Sequence, residues 1–181
     1  METKTVATPC GNVIGEVTDY GARFRGVRYA TAKRFEKPVL VTKYDCDQNA
    51  VEQGVCCPQM RAYWNEEHRF YYQEFRKGKS FKYSEDCLIL DVYQPQTAEK
   101  CPVIVFIHGG SFTGGSINEM QFDGSAYAKR GVVFVAINYR LNVFGFYADK
   151  THVKGNLGLL DQYTAIEWVR SNISAFGGDP D

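Results

Sequence analysis

No stretch of this sequence is apolar for long enough to span a bilayer, and the segment from Met1 to Pro9 has no apolar core of the kind a signal peptide needs. The expectation is a soluble, cytoplasmic chain with no membrane partner. Net charge is also missing. Lys plus Arg and Asp plus Glu number 21 each, so no overall field favours nucleic acid as a partner. Metal-ligand spacing is absent as well: Cys56 and Cys57 are adjacent, Cys10, Cys46, Cys87 and Cys101 are scattered, and the three histidines lie far from any Cys-x-x-Cys pattern. Neither a metal nor another cofactor is expected. No repeat, low-complexity tract or linker composition divides the chain, which reads as one domain or one piece of a larger one.

What is present is enough apolar material for a core, with 44% hydrophobic and 14% aromatic residues in 181. The chain is organised around Val103 to Phe112, five apolar residues running into His108-Gly109-Gly110-Ser111-Phe112. An unbroken β-branched and aromatic run predicts a strand buried on both faces. The glycine-bearing turn at its carboxyl end is where ligands gather in an open α/β sheet, and backbone N–H groups held there can receive an oxygen that becomes negative during acyl transfer. Val132 to Ile137 predicts a second buried strand, and the short helix expected over Phe122 to Lys129 makes one βαβ crossover between the two. Upstream, Thr5 to Val27 reads as an antiparallel meander, and Tyr83 to Tyr93 as a strand. Between Arg61 and Tyr83 the sequence is crowded with aromatics, with helical spacing from Trp64 to Phe75. Either a substrate-contacting wall or a helix packed over the sheet fits that stripe. The last helix opens at Asn156, with Leu159, Ile166, Val169, Ile173 and Phe176 at helical spacing.

Several of these stretches carry a resemblance. His108-Gly109-Gly110-Ser111-Phe112 resembles the oxyanion-hole loop of α/β-hydrolase esterases. Phe24 to Ala30, Ser84 to Val92, Asn138 to Phe146, Gly155 to Gln162 and Trp168 to Pro180 are similar, in order, to motifs of the type-B carboxylesterase and cholinesterase family. The resemblance implies an α/β-hydrolase fold with a mixed, mostly parallel sheet and an N-terminal antiparallel hairpin. It implies a small-molecule carboxylic ester as substrate. It also implies that Gly110 and Ser111 donate backbone N–H groups to the oxyanion while Gly109 shapes the turn, and that His108 is structural. Arg34 with Glu85 and Arg140 with Asp161 should be structural ion pairs, the first around a buried carboxylate. Cys57 and Cys87 take the places of a family disulfide, and two reduced buried thiols are an equal reading. Three positions depart from the family pattern: Arg28 replaces a proline, Asp91 a commoner asparagine, and Asn142 a glycine. The turn can survive at Asn142 because asparagine tolerates a left-handed backbone.

The hydrolytic triad itself is not in place. Acyl transfer to water on this fold needs a serine on a Gly-x-Ser-x-Gly turn, followed by an acid and then a histidine. Gly109 to Thr113 and Gly114 to Asn118 are near misses, ending in threonine and asparagine where glycine belongs. His108 and Ser111 are close in sequence, but no acid is evident to orient the imidazole. The resemblance places the nucleophile elbow shortly after Asp181. The expectation is therefore the N-terminal part of a serine carboxylic ester hydrolase, inactive alone. The second reading is a non-catalytic binding module of the same fold.

Overall fold

The computed structural model describes residues 1–62, 67–149, 151 and 155–181. Along the chain come β1 (Thr3–Thr8), β2 (Gly11–Thr18), β3 (Gly21–Arg28), the two-residue strands β4 (Ala30–Thr31), β5 (Val39–Leu40) and β6 (Gln48–Asn49), and then α1 (Phe70–Phe75). There follow β7 (Ile89–Pro95), β8 (Val103–Ile107), α2 (Ser125–Ala128), β9 (Val133–Ile137), α3 (Asn142–Phe146) and α4 (Leu157–Asn172). The main sheet has the order β1-β2-β3-β7-β9-β8, with β6 against β2. The expected N-terminal meander is present, but it belongs to this sheet through the pairing of β3 with β7.

The expectation of a mostly parallel sheet is corrected. Along the main path every neighbouring pair is antiparallel except β8 with β9. The reason is connectivity. Parallel neighbours need a crossover of a dozen or more residues, and the stretch carrying α2 between β8 and β9 supplies one. The expected burial of Val103 to Ile107 is corrected too: β8 is an edge strand among the described residues, and Ile104 and Ile107 are 38% and 39% exposed. The strands buried along their whole length are β7 and β9. In β9 both faces are covered. Its alternate residues feed different cores, Val133, Val135 and Ile137 joining Phe24, Trp168 and Phe176 on one side. On the other side, Phe134 and Ala136 join Tyr20, Tyr93 and Ile117. With both faces covered, no alternation of polar residues is left to see in the sequence.

Helix α4 covers the first of these cores with part of the expected stripe: Val169, with Ile173 and Phe176 just beyond the helix, is buried there. Leu157, Asp161, Ala165, Trp168 and Asn172 face inward, whereas Leu159 and Ile166 are 44% and 45% exposed. Asn156 does sit at its start, in the left-handed region at φ 58°, without a side-chain cap. α1 is shorter than expected and buries none of its residues; the Trp64 end of the expected helix lies outside the described residues. Among the described residues no helix is long and apolar enough to cross a membrane.

Both ion pairs form, in different surroundings. Arg140 donates from Nε to Asp161 Oδ2 at 2.8 Å, from its other arm to Oδ1 at 2.7 Å, and from its backbone N–H to Oδ2 at 3.0 Å. Burial by itself would lower the Arg140 guanidinium, but the Asp161 carboxylate outweighs it and raises it. The third nitrogen of Arg140 reaches the Glu36 carbonyl at 2.8 Å, so one side chain joins the end of β9, α4 and the segment after β4. Arg34 and Glu85 also pair two-pronged, with Arg34 Nε 2.8 Å from Glu85 Oε2, but on the surface rather than around a buried carboxylate. Arg28, which has no counterpart in the family pattern, pairs with Asp86, donating to Oδ2 at 2.8 Å.

A bulge explains Asp91. The β3–β7 register shifts between Phe24 and Val27, which leaves the Gly26 N–H without a ladder partner, and Asp91 Oδ1 accepts it at 2.8 Å. Burial pushes this carboxyl up to about 7. The native state therefore binds a proton there that the unfolded chain releases near pH 4, and stability from this group falls as pH rises from about 4 to about 7.

Asp161→Asn should lower stability by about 3–5 kcal/mol in a urea titration, because it leaves the Arg140 charge buried without a counter-ion. Glu85→Gln should leave the midpoint unchanged. Asp91→Asn should raise stability by roughly 2–4 kcal/mol at pH 8 and by nothing near pH 4, since asparagine can still accept the Gly26 N–H.

Candidate active site

β8 delivers the chain into the turn that follows it. His108 is buried, its ring stacked on Tyr139 at 4.6 Å between centroids, and its carbonyl accepts from the Tyr139 hydroxyl at 3.0 Å. His108 Nδ1 lies 2.9 Å from the Gly109 carbonyl oxygen. A carbonyl only accepts, so the ring proton is on Nδ1. Burial, with the nearby Arg61 charge adding to it, holds this imidazole down at about 4, and it is neutral at physiological pH. No hydrogen bond joins it to the Ser111 hydroxyl, so nothing here makes a nucleophile and base of the two.

From Gly109 to Thr113 the backbone comes to the surface and turns around one oxygen. The Gly110 carbonyl accepts from the Thr113 N–H at 3.0 Å, the Gly114 N–H at 3.2 Å and the Thr113 hydroxyl at 3.1 Å. Gly110 has φ +115°, and Ser111 and Phe112 follow at φ 53° and 61°, two successive side-chain-bearing residues in the left-handed region. Such a residue costs of order 1–3 kcal/mol unless its surroundings hold it there. The N–H groups of Gly110 and Ser111 donate to no described residue. They are neighbouring donors on an exposed turn.

Three structures hold that turn. From the end of β9, the Asn142 backbone N–H donates to the Phe112 carbonyl at 2.8 Å, and the Asn142 amide to the Pro58 carbonyl at 3.2 Å. Asn142 has φ 52°, the left-handed turn expected of it. From the segment after Cys57, Gln59 hydrogen-bonds the Gly115 backbone through both ends of its amide at 2.9 Å. Beneath the turn lies a buried polar layer. Ser116 Oγ meets Cys56 Sγ at 2.9 Å, the Asn118 amide donates to the Gly54 carbonyl at 2.7 Å, and Asn138 accepts from the Ile117 N–H at 3.1 Å. Burial pushes the Cys56 thiol up to about 11, so it too is neutral. Glu119 is buried against Arg61, 3.1 Å away, with the Tyr71 hydroxyl donating to its other oxygen. The α1 segment is thereby tied to the stretch that follows the turn.

Gly109, Gly110 and Ser111 are thus together at one surface point. Arg140 and Asp161 are buried apart from it, and Arg34 with Glu85 lies on the exterior. Cys57 and Cys87 are buried, unbridged thiols, with Cys57 Sγ accepting the Leu141 N–H at 3.2 Å. The hydrogen bond with Cys87 holds the Cys57 thiol below its ordinary value. Sequence reasoning missed Gln59, Tyr139 and the Pro58 contact of Asn142. The only signal for Gln59 was its place two residues after Cys57, next to a proline. Beside Ser111 an apolar concavity of about 430 Å³ opens, lined by Phe112, Val143, Phe146 and Tyr147.

The family model described as "Carboxylesterase family" matches residues 2–181. The para-nitrobenzyl esterase of Bacillus subtilis (strain 168) is 38% identical over 190 residues, covering all of this chain and 37% of the relative. Carboxylesterase 3B of Mus musculus is 40% identical over 192 residues, covering 97% of this chain and 32% of the relative. A solved PNB esterase superposes with a TM-score of 0.85 at 36% identity, over 98% of this chain and 37% of that one. The chain spans roughly a third of the length of these relatives. With the ordered motifs, the sheet and the turn all agreeing, the chain belongs to the carboxylesterase family.

Proposed function

We propose that this chain serves the hydrolysis of small carboxylic esters and that the turn after β8 supplies the oxyanion donors, Gly110 and Ser111. The observation that carries the reading is that the adjacent N–H groups of Gly110 and Ser111 donate to no described residue, on an exposed turn held through its Gly110 and Phe112 carbonyls. During attack on an ester the carbonyl oxygen gains a full negative charge. Donors fixed in advance stabilise that charge without reorganising as it forms. The concavity beside Ser111 suits an apolar acyl or alcohol group. The nucleophile, its acid and its base are proposed to lie outside these 181 residues, which hold no Gly-x-Ser-x-Gly.

The isolated chain should neither turn over p-nitrophenyl esters nor be labelled by a fluorophosphonate; labelling at Ser111 would refute the reading of this turn. In the protein as its gene encodes it, ester turnover should be present. Gly110→Ala, whose new Cβ would stand 2.0 Å from the Gly114 carbonyl oxygen, should lower kcat by about 10²–10³ with little change in KM. Unchanged kcat would remove the turn from the chemistry.

A further inference from the structure

We infer that Gln59 is a positioning residue for ester hydrolysis, holding the Gly110 and Ser111 N–H groups in direction through its two-way pairing with the backbone of Gly115. The inference rests on the oxyanion reading of the turn. Gln59 is 4% exposed. Its Oε1 accepts the Gly115 N–H at 2.9 Å, and its Nε2 donates to the Gly115 carbonyl at 2.9 Å and to the Cys57 carbonyl at 3.2 Å. Both N–H groups of the amide are used, and two carbonyls as partners fix which end is nitrogen.

Gly115 has no other hydrogen bond among the described residues, so every hydrogen bond to this residue comes from Gln59. That position reaches the donors directly. A Cβ on Gly115 would stand 2.4 Å from the Gly109 carbonyl oxygen and 2.6 Å from His108 Nδ1, and a Cβ on Gly110 would stand 2.0 Å from the Gly114 carbonyl oxygen. The backbone of 114–115 is therefore the floor on which 109–110 rests. Moving Gly115 by a few tenths of an ångström moves the peptide that carries the Gly110 N–H. Arg61 packs against Gly114 from the same segment, which makes the stretch after Pro58 a cradle for the turn. Only glutamine fits the pairing. Asparagine is one methylene short, and ionised glutamate can accept from the Gly115 N–H but has nothing to donate to its carbonyl.

The test compares Gln59→Ala, Gln59→Asn and Gln59→Glu with the parent in the protein as its gene encodes it, using p-nitrophenyl butyrate and a trifluoromethyl ketone that forms a reversible tetrahedral adduct. Gln59→Ala should lower kcat about 10–100-fold with KM within about threefold, and should weaken the ketone by the same factor as kcat/KM. Gln59→Glu should regain activity relative to the parent as pH is lowered from 9 to 6, because the protonated acid restores the missing donor, while the ratio for Gln59→Ala stays flat. Gln59→Glu carries the test by itself where the alanine protein does not fold. A lower Tm with parental kcat and parental ketone affinity would overturn the inference and leave the oxyanion reading standing. A parent without ester turnover would overturn both.

Discussion

The structure depends first on Arg140 and Asp161. Arg140 stands just beyond β9, a strand with both faces covered, and a single guanidinium there engages Asp161 on α4 and the carbonyl of Glu36. Removing two charges from water is costly, and such a pair is worth keeping where it fixes geometry rather than for net stability. Here it fixes the exit of β9. Its neighbours on the same stretch, Tyr139 and Asn142, are the groups that reach across to His108 and Phe112. The pair therefore acts at a distance on the turn beyond β8. It anchors the stretch from which two of that turn's contacts are made.

The turn needs this support because its backbone is strained on its own. Ser111 and Phe112 both occupy the left-handed region, where a side chain crowds the following carbonyl. The opposing contributions are local and specific: three hydrogen bonds on the Gly110 carbonyl, the Asn142 N–H on Phe112, and the Phe112 ring at 4.6 Å from that of Phe146. Every one of these groups holds the turn without occupying the N–H of Gly110 or Ser111. A turn held only by its own sequence would relax and let those donors find water or backbone. Preorganisation of this kind is what makes a dipole useful to a developing charge.

Much of this was legible in the sequence, and the limits follow from physics. Strand β8 and the turn could be read because an apolar run ending in His-Gly-Gly is a local pattern, and β9 because it too is an unbroken apolar run. The left-handed turn at Asn142 could be read because asparagine is one of the few side chains that tolerates it. The parallel sense of the sheet could not, since one visible crossover says nothing about how β3, β7 and β9 pair. Spacing puts Leu159 and Ile166 in the core because helical periodicity cannot distinguish one apolar stripe from another on the same helix. The buried face keeps Val169 from that stripe and adds a small residue, Ala165, and an aspartate, Asp161. Gln59 left almost no trace, because a glutamine that binds backbone needs no partner of any particular type at Gly115. Arg34 and Glu85 were legible as a pair while their exposure was not, because spacing in a motif carries no information about burial.

The polar groups beneath the turn share one property that composition hides: almost all are uncharged. His108 is held neutral by burial, Cys56 remains a thiol, and Gln59, Ser116, Asn118 and Asn138 carry only dipoles. Buried dipoles can be aimed, and they satisfy the backbone without adding a fixed charge of either sign. On the proposed oxyanion reading, a carboxylate among them would oppose the charge that develops at the turn, and at low dielectric that opposition would be strong. The exception is Glu119, 3% exposed and only a few residues past the turn. Its two oxygens face Arg61, Arg76 and the Tyr71 hydroxyl, two cations and a donor around a single negative charge. Its charge is thus compensated where it stands. Arg61 and Tyr71, from the aromatic stretch between Arg61 and Tyr83 that as a sequence could be read as a wall or as core, both engage that carboxylate.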